Sequence, residues 1–108
     1  MGKFNIKVSS QGKYYFELCA DNGYVILQSE MYESRAACEN GIASVQRNSP
    51  NEARYEHRST KDAQLYFVLK ASNGQEIGRS GLYGSASARD NGIASAQKNG
   101  TTEKICNQ

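Results

Sequence analysis

Apolar and polar residues alternate along "KFNIKV" (3–8), and the same period returns in "YYFELCA" (14–20) and "YVILQS" (24–29). Polar turn chemistry separates the runs, "SSQG" before the second and "DNG" before the third. A two-residue period places every second side chain on one face of a strand, so the pattern predicts three strands in a meander. From Ser34 the period lengthens, and Ala37, Gly41, Ile42, Ser44 and Val45 share one side of a predicted helix. Ser34 is its natural N-cap, and Asn48 before Ser49-Pro50 reads as a left-handed stop.

The pattern is then written again. Shifting the chain by 51 residues sets 15–48 against 66–99, where 18 of 34 positions are identical. Tyr15-Phe16 meets Tyr66-Phe67, Asn22-Gly23 meets Asn73-Gly74, and Asn40-Gly41-Ile42 meets Asn91-Gly92-Ile93. Ser85 repeats the cap, and Asn99-Gly100 repeats the stop. "ARYEHRS" (53–59) stands where the first copy has "GKFNIKV", but it also follows the first helix as "TEKIC" (102–106) follows the second. A mid-helix glycine costs ~1 kcal/mol against alanine. Its repetition at Gly41 and Gly92 implies close packing on the sheet or on the twin helix.

Agreement between the copies also sets the hairpin register. A three-residue loop ending on a left-handed Gly23 pairs Leu18 with Ile26 and Leu69 with Ile77, and sets Lys70 against Glu76. A two-residue loop would pair Leu69 with Gly78. A one-residue slip turns every side chain over, so the three-residue loop is expected in both copies. The core face is then Phe4, Ile6, Val8, Tyr14, Phe16, Leu18 and Ile26, with Leu65, Phe67, Leu69 and Ile77. The other face carries Tyr15, Glu17, Cys19, Val25 and Leu27, with Tyr66, Val68, Lys70 and Glu76.

A chain of 108 residues forms one domain, here 1–108, built of repeats at about 3–53 and 54–106. Its net charge of +2, with acids and bases mixed, argues against a nucleic-acid or membrane surface. No apolar run reaches spanning length, and the alternating "MGKFNIKVSS" lacks the continuous apolar stretch of a signal peptide. Cys19, Cys38 and Cys106 are therefore expected as reduced thiols in a cytoplasm.

Candidate chemistry is sparse. His57 is the single histidine, a general base beside Glu56 or Tyr55 in an enzyme reading, but no nucleophile motif accompanies it. The cysteines lack ligand spacing, so no metal and no cofactor is expected. Gly78, Gly81 and Gly84 precede Ser85 as an anion nest could. The first copy has Leu27, Glu30 and Glu33 there, so a flexible link is the simpler reading. Tyr15 and Tyr66 stand among Lys7, Arg54, Arg58 and Lys70, the composition of a single-strand nucleic-acid platform. Glu17, Glu56 and Glu76 share that face and count against it. A protein-contact surface of Tyr15, Val25, Leu27, Tyr66, Val68 and Lys70 ranks higher, although isolated surface apolars are ordinary.

The aromatic strand, the Asn-Gly turn, the Ser…Tyr…Ser link and "NGI.S…N" together resemble the repeat of the YegP-like family of small bacterial proteins, twice over nearly the whole chain. The resemblance implies a β-β-β-α-β unit, used as tandem copies or as two chains, with exchanged end strands in one sheet and the helices on one side. It supplies a fold and no activity. The expectation is α+β: two tandem β-β-β-α-β repeats forming one mostly antiparallel sheet with two helices on one face. The expected function is a small cytoplasmic, non-enzymatic module meeting an unidentified protein partner through the outer sheet face. Single-stranded nucleic-acid binding and an enzyme centred on His57 are the alternatives. With both copies in one chain the exchanged strands can come from within, so a monomer is expected, with a strand-swapped dimer as alternative.

Overall fold

A computed structural model of the chain describes residues 2–107. The first copy forms β1 (Lys3–Val8), β2 (Tyr14–Cys19), β3 (Val25–Ser29) and α1 (Arg35–Asn48). A short 3-10 turn (Glu52–Arg54) leads to β4 (Tyr55–Ser59), β5 (Leu65–Lys70), β6 (Glu76–Arg79), α2 (Ala86–Asn99) and β7 (Ile105–Asn107). The strands make one sheet in the order β4-β5-β6-β3-β2-β1-β7. Every pairing is antiparallel except β7 against β1. The α+β architecture expected from the repeat is the observed one.

Phe4, Phe16, Leu18, Phe67 and Leu69 from the sheet and Cys38, Ile42, Val45, Ile93 and Ala96 from the helices form a single buried cluster. Both helices therefore cover the same face. Ser34 and Ser85 cap them, each hydroxyl accepting from the amide three residues on at 3.1 Å. The glycines are contact points, as the doubled pattern implied. A Cβ at Gly41 would stand 2.7 Å from Cζ of Tyr32, and one at Gly92 equally close to Cζ of Tyr83. Those tyrosines stack on Phe16 and Phe67, with centroids 6.4 Å apart in both copies.

The helix stops differ from expectation. Ser49 and Gly100 take right-handed φ values of −60° and −69°. The side-chain amides of Asn48 and Asn99 donate back to the carbonyls of Ser44 and Ser95. Those bonds and the Ser49 and Gly100 amides satisfy the last turn without a left-handed residue. Gly100 is small for another reason: a Cβ there would run into Ser49 at the end of the other helix.

The hairpin register is half as expected. Gly23 and Gly74 are left-handed at φ 86° and 88°, and Cys19 faces Val25 as Lys70 faces Glu76. One residue further a bulge intervenes, so Leu18 pairs with Leu27 and Leu69 with Gly78 rather than with Ile26 and Ile77. The bulge turns two successive residues inward. Ile26 and Leu27 are both fully buried in the helix-side core, which removes Leu27 from the outer face. The copy has Gly78 because β6 meets β3 there: the Gln28 carbonyl oxygen lies 2.6 Å from where a Cβ would be. Val8 departs as well, 54% exposed at the last position of β1. Tyr14 and Leu65 are only half-buried.

Candidate binding face

Ladder partners share a face, so pairing defines the side of the sheet away from the helices. Lys7 pairs with Tyr15, Asn5 with Glu17, Glu56 with Val68, Arg58 with Tyr66, and Val68 with Arg79. The charges on this face pair with one another. Lys7 reaches Glu17 at 3.0 Å, and Arg58 links Glu56 to Glu76, the latter at 3.0 Å. Lys70 binds Glu56, and Arg79 binds Glu76 at 3.3 Å while lying 5.8 Å over the Tyr66 ring. Hydrogen bonds from Lys70 and then Arg58 hold the Glu56 carboxyl below its ordinary range, and Glu17 raises the Lys7 ammonium.

This lattice changes the meaning of the sequence candidates. Val68 is fully buried beneath it, and Cys19 is 3% exposed beside Asn5, whose amide donates to Sγ at 3.5 Å. Long charged stems cover apolar surface while their heads stay wet. Val68 and Leu27 are thus fully buried, one by cover and one by the bulge, though Leu27 still lines a groove beside β3. Tyr15, Tyr66 and Lys70 remain half-buried, and Val25 is 40% exposed. Arg54 leaves the face altogether, its Nε donating to Asn48 Oδ1 at 3.2 Å. Lys7, Arg58 and Lys70, the cations of the nucleic-acid platform, face carboxylates rather than open solvent.

Between β3 and β6 the sheet pairs over only two residue pairs, Gln28 with Arg79 and Ser29 with Gly78. Beside this short seam lies a groove of about 490 Å³ lined by Val25, Gln28, Glu30, Met31, Arg79 and Gly81. Met31 is 48% exposed, and Leu82, next after Gly81, is 56% exposed. Sequence reasoning missed Met31 and Leu82 because they follow the strands, where alternation ends. It also missed Ser29 and Ser80, which tie the end of β3 to β2 and the chain after β6 to β5. Their hydroxyls accept from the Phe16 and Phe67 amides at 2.9 and 3.0 Å and donate to the Glu30 and Gly81 carbonyls. Their identity in both copies was the available signal.

The other candidates are not assembled. Glu56 lies on the outer face, while His57 pairs with Phe67 on the helix side. The Tyr55 hydroxyl donates to the Ser49 carbonyl at 2.8 Å and is committed there. Gly81 and Gly84 have open space around them, and the Ser85 hydroxyl is engaged with the Ala88 amide. Cys19 and Cys38 are buried and Cys106 half-buried, all free thiols. Among the described residues, no group of three or more His, Cys, Asp or Glu could hold a metal ion. No helix among them is long and apolar enough to cross a membrane.

Comparison with known proteins covers nearly the whole chain. The model of a domain of unknown function, DUF1508, matches residues 9–56 and again 61–106. The chain is 52% identical over 105 residues to UPF0339 protein YegP of Yersinia pestis, covering 97% of this chain and 94% of that one. It is 46% identical over 104 residues to YegP of Escherichia coli K12, with 96% and 94% covered. The solution NMR structure of yegP from E. coli, a protein of unknown function, superposes with a TM-score of 0.94 at 45% identity, over 99% of this chain and 92% of that chain. That of UPF0339 protein SO3888 from Shewanella oneidensis gives 0.92 at 48%, over 98% and 90%.

Proposed function

The chain belongs to the YegP-like family, the tandem form of the DUF1508 domain, and on that premise we propose a small non-enzymatic module that binds a polypeptide through its outer sheet face. The seam groove carries this reading. Its lining combines exposed Val25 and Met31 with the charged side chains of Glu30 and Arg79. An apolar side chain flanked by charged or polar backbone-bonding groups fits that combination. The lattice of paired charges around it favours a partner that docks on the groove over one attracted by net charge. The reading includes a monomeric chain in the cytoplasm, since β7 covers β1 from within the same chain.

The test is capture from native bacterial lysate on the immobilised chain, compared with Val25→Glu/Met31→Glu and Tyr15→Ala/Tyr66→Ala double variants. A protein retained by the parent and released by Val25→Glu/Met31→Glu, with unchanged melting, supports the groove. Equal retention by all three chains removes it.

A further inference from the structure

The two edges of the sheet end differently. On one, β7 runs parallel to β1, with Phe4 opposite Ile105 and Ile6 opposite Asn107. The Phe4 amide donates to the Lys104 carbonyl at 2.9 Å. Helix α1 holds the segment as well: Gln46 Nε2 donates to the Thr102 carbonyl at 2.9 Å, and the Arg35 guanidinium to Asn107 Oδ1.

On the other edge β4 stands where β1 does. The shift of 51 puts Tyr55 for Phe4, His57 for Ile6, Ile93 for Ile42 and Gln97 for Gln46. Among the described residues no strand lies outside β4. The place that β7 takes on the first edge is here a groove of about 240 Å³, lined by Glu52, His57, Asp90, Ile93 and Gln97. Ile93 is 7% exposed where its twin Ile42 is 1%. The chain closes only the start of the slot: the Tyr55 amide donates to the Glu52 carbonyl as Phe4 does to Lys104. Beyond it, backbone alternation turns the His57 amide and carbonyl away from β5, as it turns those of Ile6 toward β7.

We propose that this open edge accepts an extended segment of a partner polypeptide, parallel to β4, with an apolar side chain over Ile93 and a lysine or arginine beside Glu52 and Asp90. The chain itself shows the mode of docking, since β7 is such a segment on the equivalent edge. The charges specify the newcomer. Arg35, which engages β7, is Ala86 in the second copy, so no cation stands at that helix position. Glu52 has no ion-pair partner among the described residues, and Asp90 is paired only with its neighbour Arg89, at 3.2 Å. A positive charge on the incoming strand completes what Arg35 supplies on the other edge. This edge is separate from the seam groove, so either site can fail without the other.

The probe is a synthetic peptide, Thr-Thr-Glu-Lys-Ile-Ser-Lys, which is residues 101–107 with Cys106→Ser and Asn107→Lys. In the intact chain β7 already fills the first slot, so the peptide has one vacancy. Titrated into the 15N-labelled full chain, it should shift the amides of His57, Ser59, Asp90, Ile93 and Gln97 saturably at millimolar concentration. His57→Pro removes an outward amide and should abolish the shifts. Glu52→Lys/Asp90→Lys, which leaves the edge backbone untouched, should weaken binding by about two- to fivefold, the size of an exposed ion pair. Absence of saturable shifts overturns the proposal, as do shifts at Ile6 and Gln46, which would mark exchange with β7. A concentration-dependent doubling of mass in light scattering, abolished by His57→Pro, overturns it in favour of a second copy of this chain.

Discussion

Replacing Gly41 by alanine sets two effects of similar size against each other. Alanine is the better helix former by ~1 kcal/mol. Its methyl group would stand 2.7 Å from Cζ of Tyr32 and 3.1 Å from Cε2 of Phe16, closer still to the Tyr32 hydroxyl. Carbon atoms rest roughly 3.5–4.0 Å apart, so the tyrosine must retreat by roughly 1 Å. Its freedom to do so is small. The ring stacks on Phe16 at 12°, and its backbone is tied to Tyr14 by bonds of 2.9 and 2.7 Å. Overpacking of this kind costs ~1–3 kcal/mol, which leaves Gly41→Ala neutral to destabilising by about 2 kcal/mol after the helix gain. Tyr32→Phe deletes the nearest atom, so the alanine should cost less in that background by about 0.5 kcal/mol or more. Urea melts of the four chains of this cycle measure it, and Gly92 with Tyr83 gives an independent repeat. Stabilisation by ~1 kcal/mol in both copies refutes the packing argument. So does an alanine cost identical in the tyrosine and phenylalanine backgrounds.

Three further outcomes follow from the packing and the charges. Leu27→Ala should cost about 2–5 kcal/mol in a denaturant melt, while Val8→Ala should cost less than about 1 kcal/mol; similar losses would contradict the assignment of Leu27 to the core. Lys70 and Arg58 hold the Glu56 carboxyl below its ordinary 4.5, so its contribution is complete above that value and lost as pH falls through the lower folded one. Glu56→Gln should therefore flatten the acid limb of the stability–pH curve, and an unchanged limb argues against the ion pairs. Burial raises the thiols of Cys19 and Cys38, so a thiol reagent should label Cys106 quickly in the folded chain and the other two only on opening. Fast reaction of all three would show that these strands and helices do not cover them.

Alternation and internal repetition carried most of the fold because both act locally. Ser34 and Ser85 cap helices that any chain with this spacing would form, and Gly41 and Gly92 betray a contact by costing helix stability twice. The bulges escaped because their cause is not local. Gly78 is glycine where β6 meets Gln28 of β3, a neighbour fifty residues away. Reading Gly78 as a poor partner for Leu69 favoured the wrong register beyond Lys70. Val68 escaped because its cover comes from Arg58, Lys70 and Arg79 on three strands, whose meeting no single run of sequence predicts. The seam groove follows from the same junction and was equally hidden.

A single fused chain must end its sheet unevenly. After α2 the chain crosses to the far edge and lays β7 beside β1; after α1 it becomes β4 itself, so among the described residues no segment lies beside β4. The asymmetry is a consequence of connectivity, and it leaves two equivalent slots with one internal occupant. An exposed edge normally invites aggregation, yet β4 has only five residues and is flanked by Glu52 and Asp90. Short edges ringed with charge resist indiscriminate pairing. The same charges that repel an uncommitted strand would admit a basic one, and that selectivity distinguishes a docking edge from an unfinished sheet.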